Sequence, residues 1–497
     1  MHCISSAFCD VPYRCCVTGG GKVASSKSKV STMSSGSSRV YAAEPALRDP
    51  NRSARRLQII LVSPRGPLYR HRGGIWKKTM RYAPLTLTTL ASLVPPEIPS
   101  DIRIVDEGVG EIDLDRIDAD IVGISAITGT APRSYEMSAQ LRKRGIPVVL
   151  GGVHPTLMPE EAIQHADAVV VGYAEESWPS LLRDFVDGKM QARYDQSPTL
   201  RLTNLPFPQR QLFDSRLINV AETIEATRGC IHQCDFCVVP AAWPRPLQKP
   251  VADVIGDLKQ MGARRVVFLD LNLISDIPYA RELFTALIPL HIKWGGLTTV
   301  NIARDDELLD LAARSGCRGL LIGFESADQA SLSDANKRFN MRLSYRDLVR
   351  RIHERGIAIM GCFVFGLDSD TLHSFEETVT LVMESNIDLP RYAIATPFPG
   401  TGLYKRLKAE RRITTEDWTL YDGQHVVFAP KNMTAEELLR KTGWAWKQTY
   451  RYMSIWKRLA GSRTQLPVAI PANLGYRFYA NRLDRFYTCD WQLAPRA

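Results

Sequence analysis

Between residues 57 and 176 the chain repeats one pattern five times: a short apolar run, then a tight polar or glycine-rich exit. Leu57–Val62 ends in Ser63-Pro64-Arg65-Gly66. Ile102–Val105 ends in Asp106-Glu107-Gly108. Ile121–Ile124, Val148–Leu150 and Ala168–Val171 exit through Ser125…Thr128-Gly129, Gly151-Gly152 and Gly172…Glu175-Glu176. The runs are short and mostly apolar, as strands covered on both faces are. Helical stretches such as Ser134–Arg144 and Glu160–His165 lie between them. Strands that alternate with helices predict an α/β fold with a doubly wound, Rossmann-like parallel sheet. Such sheets bind ligands at the carboxyl ends of their strands. Ser125, Thr128, Gly151, Gly152, Gly172 and Glu175 cluster at that edge.

Asn204-Leu-Pro206-Phe-Pro208 breaks the pattern, and a second alternation follows. Its strands are expected at Ile224–Thr227, Val266–Leu269, Leu320–Phe324, Ile359–Phe365 and Arg391–Ala395, in a barrel-type α/β arrangement with its chemistry at the carboxyl face. The predicted organisation is a disordered extension (1–55), a first α/β domain (56–200), a linker (201–216), a barrel (217–430) and a basic helical C-terminal region (431–497). The extension is rich in Ser, Gly, Lys and Arg and lacks the amphipathic helix of a transit peptide.

The first strand of the second unit leads into Arg228-Gly229-Cys230-Ile-His-Gln-Cys234-Asp-Phe-Cys237. Three thiolates spaced C-x3-C-x2-C can hold three irons of a [4Fe–4S] cluster and leave the fourth open. Zinc wants four ligands; no fourth cysteine lies near, and His232 is crowded inside the loop. A disulfide network needs an oxidising compartment and paired spacings, and the other cysteines show none. Buried thiols are the expectation for Cys317, Cys362 and Cys489.

The net charge of +10 is segregated. Residues 1–56 hold nine Lys/Arg against three Asp/Glu, and residues 440–497 hold eleven Lys/Arg against two Asp, which leaves the body at −5. A mildly acidic body argues against a nucleic-acid groove. No run approaches a spanning length of about 18 apolar residues, and a reducing cytoplasm suits an iron–sulfur protein. Glu436–Leu459 is expected to be one helix, with Leu439, Trp446, Tyr450 and Met453 at helical spacing. It is read as a cap on the barrel; a second reading, from Trp444, Trp456 and the basic charge, is peripheral contact with an anionic membrane.

The cysteine run resembles the signature of the radical S-adenosylmethionine (SAM) enzymes, and the resemblance covers roughly residues 57–460. It implies that Cys230, Cys234 and Cys237 ligate the cluster and that Phe236 packs against the adenine of SAM. Val266–Asn272 resembles the family's second strand, where Asp270 would help position the SAM amino group. Gly316–Ser326 resembles the fourth strand, where Glu325 would meet the ribose. Met360–Asp368 resembles the adenine-lining fifth strand, with Phe365 and Gly366, and Thr396–Thr401 the exit of the sixth.

A doubly wound domain ahead of that barrel resembles the cobalamin-binding radical SAM class. Residues 57–229 contain no cysteine, so the second cluster of a tRNA methylthiotransferase-like enzyme has no ligands there. The exit loop Asp106-Glu107-Gly108 lacks the histidine that many cobalamin proteins place below cobalt, as members of the radical SAM class often do. Ser125, Thr128, Gly151, Gly152, Gly172 and Glu175 would surround the corrin and its nucleotide tail, while His154 reads as an ordinary helix-start residue. The class implies cleavage of SAM to a 5′-deoxyadenosyl radical and methylation of an unactivated carbon of a small molecule, lipid or secondary metabolite. Cyclisation or rearrangement, or a non-catalytic Fe–S sensor, are the alternatives. No catalytic acid–base pair is required. A low-potential donor such as flavodoxin or ferredoxin would supply the electron.

Overall fold

The computed structural model describes residues 40–41, 55–66, 79–82, 85–108, 110–213, 218–220, 222–341 and 344–483. Apart from Val40, Tyr41 and Arg55, the expected N-terminal extension lies outside them, as do Cys489 and the last fourteen residues.

The first unit is a six-stranded sheet: β1 (Leu57–Ser63), β2 (Ser100–Asp106), β3 (Ile121–Ser125), β4 (Val148–Gly151), β5 (Ala168–Val171) and β6 (Arg193–Asp195). The order is β2-β1-β3-β4-β5-β6, and every pairing is parallel. All five expected strands are present. The sixth escaped notice because Arg193-Tyr194-Asp195 is an edge strand that buries only Tyr194.

Alternation along β1 explains the two-sided burial. Ile59 and Leu61 enter a core beneath α1 (Leu85–Ser92) and α3 (Ser177–Val186). Ile60 and Val62 enter a separate core beneath α2 (Ala131–Lys143). Successive strand residues point to opposite faces, so each face acquires its own helical layer. Trp178 of α3 is 2% exposed and anchors the first core, its indole N–H donating to the Leu90 carbonyl at 3.1 Å.

The second unit is a six-stranded parallel sheet in sequence order: β7 (Thr223–Ile224), β8 (Arg265–Phe268), β9 (Lys293–Thr298), β10 (Cys317–Glu325), β11 (Ala358–Phe365) and β12 (Leu389–Ile394). Strands β8 to β12 are each reached through a helix: α4 (Val251–Met261), α5 (Ile277–Leu287), α6 (Asp306–Arg314), α7 (Tyr345–His353) and α8 (Ser374–Glu384). This is the open, partial (β/α) barrel expected. Strand β9 was not foreseen: Trp294-Gly295-Gly296-Leu297 carries two glycines, which ordinarily weaken a strand. A Cβ at Gly296 would stand 2.6 Å from the Leu273 side chain, so close packing requires the glycine.

The single helix expected over Glu436–Leu459 is broken. Ala435–Thr449 forms α9, Tyr452–Ser462 forms α10, and Leu466–Ala480 adds α11. The break at Tyr450–Arg451 satisfies buried groups: Tyr450 donates to the Pro390 carbonyl at 2.7 Å, and Thr449 meets the Tyr392 hydroxyl at 2.7 Å. Arg458, fully buried, donates to the carbonyls of Ile387 and Asp388 at 2.7 Å. Trp446, Ile455 and Tyr476 belong to the same continuous core as the barrel strands. The C-terminal helices therefore complete the barrel rather than form a separate domain. No helix among the described residues is long and apolar enough to cross a membrane.

Candidate functional site

A single cavity of about 600 Å³ runs between the carboxyl edges of the two sheets. Its first wall is the edge of β3, β4 and β5, where Ser125, Thr128, Gly151, Gly152, Gly172 and Glu175 all face it. Backbone geometry fixes the glycines. Gly152 has φ +101°, and a Cβ there would stand 2.5 Å from the Ala126 carbonyl oxygen. Gly172 has φ +86°, with a Cβ position 2.6 Å from Gln196. Behind this edge the cavity continues as a slot between α1 and the sheet, lined by Thr89, Leu90, Gly123, Val149, Val170 and Trp178. The edge thus combines bare backbone at Gly151, Gly152 and Gly172 with the polar side chains of Ser125, Thr128 and Glu175, and it opens into an apolar slot.

The opposite wall is the cysteine loop. Gly229 (φ +79°) turns the chain into it, and a Cβ there would meet Pro246 Cα at 3.1 Å. Cys230, Cys234 and Cys237 are free and line the cavity with Phe236. Cys237 caps the short helix Val238–Ala242. Among the described residues no three His, Cys, Asp or Glu side chains are placed to hold a single metal ion. The three thiols open onto one cavity, where ligands of a cluster would each hold a different iron. Burial pushes the Cys234 thiol up to about 12 and raises Cys237 as well. Thiols so desolvated ionise when a cationic centre binds. The Asn272 amide N–H points at Cys230 Sγ, 3.8 Å away.

Segment 335–340, remote in sequence, braces the loop. The Ala335 carbonyl accepts from the Asp235 N–H at 3.1 Å, and Asn336 donates to the Gln233 carbonyl at 2.7 Å. His232 stacks on Phe339 with centroids 3.8 Å apart. Burial, then the Lys337 charge, lowers the pKa of His232. Lys337 is itself buried and ion-paired with Glu325. Burial works against the ammonium, but Glu325 and Cys234 outweigh it and its pKa is raised. Glu325 lines the cavity with backbone φ +67°, a strained value for a residue with a side chain.

Other predicted residues stand elsewhere. Asp270 is absent from the cavity wall. Its carboxylate accepts the backbone N–H groups of Ala226, at 3.1 Å, and Thr227, fixing the turn before the cysteine loop. Asn272, two residues on in the loop that follows β8, is the polar side chain that this segment offers to the cavity. Phe365 packs in the core on Phe375 and Tyr392, centroids 4.3 and 5.5 Å away. Gly366 lies against Leu438 of α9. From β11 the cavity receives Cys362, Phe363 and Val364, so Cys362 is half-buried rather than fully buried. His154 is buried off the cavity, its Nε2 3.1 Å from the Tyr135 hydroxyl and 3.4 Å from Glu161.

One feature spans both walls. Arg228, two residues before Cys230, is ion-paired with Glu175 of the first unit and donates to Glu225 at 2.7 Å. Its guanidinium sits 4.8 Å over the Tyr173 ring, which stacks on Trp243 at 5.2 Å and 2°. Glu175 Oε2 has no hydrogen-bond partner. In the sequence Arg228 reads only as the entry to the cysteine run, and Tyr173 and Trp243 carry no signal, because their meaning depends on this meeting between the units.

The structure thus presents two α/β units whose sheet edges, one glycine-rich and one carrying three cysteines, line the same cavity. Residues 111–182 match the B12 binding domain family and residues 224–382 the Radical SAM superfamily. The chain is 31% identical over 390 residues to the bacteriochlorophyllide d C-12(1)-methyltransferase of Chlorobaculum tepidum, covering 76% of this chain and 85% of that protein. It is 32% identical over 364 residues to the C-8(2)-methyltransferase of the same organism, covering 69% and 80%. Among solved structures, the radical SAM methyltransferase TsrM from Kitasatospora setae with cobalamin and [4Fe–4S] cluster bound superposes with a TM-score of 0.63. It shares 15% identity, covers 87% of this chain and 100% of that one, and supports the fold. The chain belongs to the cobalamin-dependent radical SAM methyltransferases. Its cofactors are a [4Fe–4S] cluster, SAM and cobalamin.

Proposed function

We propose that this enzyme methylates an unactivated carbon on a side chain of a chlorophyllide-type tetrapyrrole. The observation that carries the reading is the continuous cavity, which brings the glycine edge and the cysteine loop to one space with the aromatic pair Tyr173–Trp243 on its wall. A flat conjugated macrocycle would stack on such a surface. The two Chlorobaculum relatives named for bacteriochlorophyllide methylation supply the substrate class.

In this reading Cys230, Cys234 and Cys237 hold the cluster, and Asn272 donates toward the Cys230 sulfur. Phe236 covers the adenine of SAM, and the Glu325–Lys337 pair offers a carboxylate and an ammonium to its polar groups. Ser125, Thr128, Gly151, Gly152 and Gly172 receive the corrin edge, and the slot by Trp178 receives its tail. Glu175 acts differently from the sequence expectation: its partner is Arg228, so it positions the entry to the cysteine loop. When bound, the cluster with SAM supplies hydrogen abstraction and the corrinoid supplies the methyl group. The chain orients both toward one substrate carbon, and this proximity is its catalytic contribution. A low-potential flavodoxin or ferredoxin would deliver electrons. Residues 56–200 and 217–430 are the proposed functional domains.

The test is anaerobic turnover of the reconstituted enzyme with bacteriochlorophyllide d and, separately, with a polycyclic lipid. A mass gain of one methylene unit on the tetrapyrrole, with deoxyadenosine release, is the expected result. Methylation of the lipid alone would overturn the substrate class and leave the reaction class standing.

A further inference from the structure

Helix α11 is built inside out. Its buried face carries Ala469, Ala472, Asn473 and Ala480 with Tyr476, whereas Val468, Ile470, Leu474 and Phe478 are 37–48% exposed. The small inner residues have a structural reason. Asn473 donates to the Asp388 carbonyl at 3.0 Å and accepts from Arg458 at 2.9 Å, which demands close approach to the barrel. Nothing in that packing calls for large apolar groups outside. Helix α10 shows the same excess: Tyr452, Met453 and Trp456 are 66%, 71% and 68% exposed. Of twelve large apolar side chains exposed among the described residues, seven stand on these two helices, so the patch is local rather than a general property of the surface. Arg477 of α11 lies 3.8 Å over the Tyr452 ring of α10 and joins the two faces. An apolar patch of this kind marks an interaction site.

Charge identifies the occupant. From Leu438 to Leu483 the sequence has no Asp or Glu. Arg451, Lys457 and Arg463 are exposed around the patch, and Arg482 lies 3.9 Å over the Phe478 ring. A second copy of the chain would bring two acid-free basic faces together, and like charges repel. Two helices that present an apolar face with basic residues around it and carry no acidic residue of their own match an anionic lipid surface, into which aromatic and aliphatic side chains insert while lysine and arginine reach the headgroups.

We propose that the outer face of α10 and α11 seats this enzyme on an anionic membrane surface. The sequence pointed to Trp444 and Trp456 on one helix. The structure separates them: Trp444 packs against the barrel core, and Trp456 faces out with α11 beside it. The inference is independent of the substrate proposed above.

The experiment is flotation of the full-length holoenzyme with phosphatidylcholine vesicles, with and without phosphatidylglycerol. Binding is expected only with the anionic lipid, falling at least about tenfold from low to high salt as the surface charge is screened. Ile470→Glu combined with Leu474→Glu should abolish flotation while leaving cofactor absorbance and melting midpoint unchanged, because both side chains are exposed. Brominated lipid should quench the wild type measurably more than Trp456→Phe. Absence of flotation at low salt would overturn the proposal. So would flotation that survives the double glutamate variant, or a dimer that this variant dissociates with no vesicle binding by the wild type.

Discussion

The two walls of the cavity are made in opposite ways. On the first, Gly151, Gly152 and Gly172 bring bare backbone to the edge, and only the small Ser125 and Thr128 and the Arg228-paired Glu175 stand beside them. On the second, the cysteine loop is held by side chains from distant parts of the chain: Asn272, Asn336, Lys337, Phe339 and, across the unit boundary, Glu175. On the proposed assignment, a surface that receives a large preformed macrocycle gains from the removal of obstacles, and a loop that holds a cluster gains from bracing, because a mobile ligand loop would admit solvent and spread the geometry. Arg228 is where the two strategies meet. Loss of its guanidinium would strand the buried Glu175 carboxylate, whereas Glu225 is only partly buried and keeps Lys249 at 3.9 Å; breaking a buried pair by removing one partner costs about 3–5 kcal/mol.

If the walls are separable in this way, each can be removed without the other. The largest effect is expected from replacing Cys230, Cys234 and Cys237 together by alanine. The variant should lose all iron–sulfur absorbance and all SAM cleavage, yet retain cobalamin as judged by the corrin spectrum. Loss of the corrin together with the cluster would show that the walls depend on each other.

The reciprocal change is Gly152→Ala. The added methyl would stand 2.5 Å from the Ala126 carbonyl oxygen at a φ of +101°, so the strand exit must move. Strained backbone of this kind costs on the order of 1–3 kcal/mol before the clash is counted. Cobalamin retention after desalting should fall about tenfold or more, that range expressed as binding, while iron content per chain stays at the wild-type value. Unchanged corrin retention would remove Gly152 from the binding edge.

The same contrast governs what could be read from the sequence. The first wall was legible because each of its glycines immediately follows an apolar run, and the strand's end fixes where such residues stand. Ser125, Thr128 and Gly172 reached the cavity for that reason. The cysteines were legible through their spacing. Phe365 and Gly366 were misplaced because their neighbours are distant in sequence: Phe365 turns into the core on Phe375 and Tyr392, and Gly366 is covered by Leu438 of α9. The cavity takes Cys362, Phe363 and Val364 instead. Lys337, Phe339 and Trp243 carry no local signal. Each becomes functional only through long-range packing, about 100 residues away in the case of Phe339 and His232. The broken C-terminal helix was hidden for a related reason, since Thr449, Tyr450 and Arg458 are polar groups whose partners at 387–392 appear only in three dimensions.

The smallest expected effect tests the bracing from beneath. Asp270 is fully buried and holds the backbone of Ala226 and Thr227 in the turn that precedes the cysteines. Burial, reinforced by the nearby Glu225, raises its carboxyl from 3.8 to about 7. The folded state therefore keeps a proton that the unfolded chain releases near pH 4. Stability from this group is complete below pH 4 and falls as pH rises toward 7, because only the unfolded state gains by ionising. Above about 7 both states are ionised and the effect levels off. Asp270→Asn removes the titration while keeping one acceptor for the turn. The melting midpoint of the variant minus that of the wild type should climb between pH 4 and 7 and then flatten, whatever the other carboxylates contribute, because they are common to both proteins. A difference that stays level across that range would mean that Asp270 is ionised in the folded enzyme. The turn would then be held by a charge, and the cysteine wall would rest on an anion at its base rather than on a neutral hydrogen-bonding group.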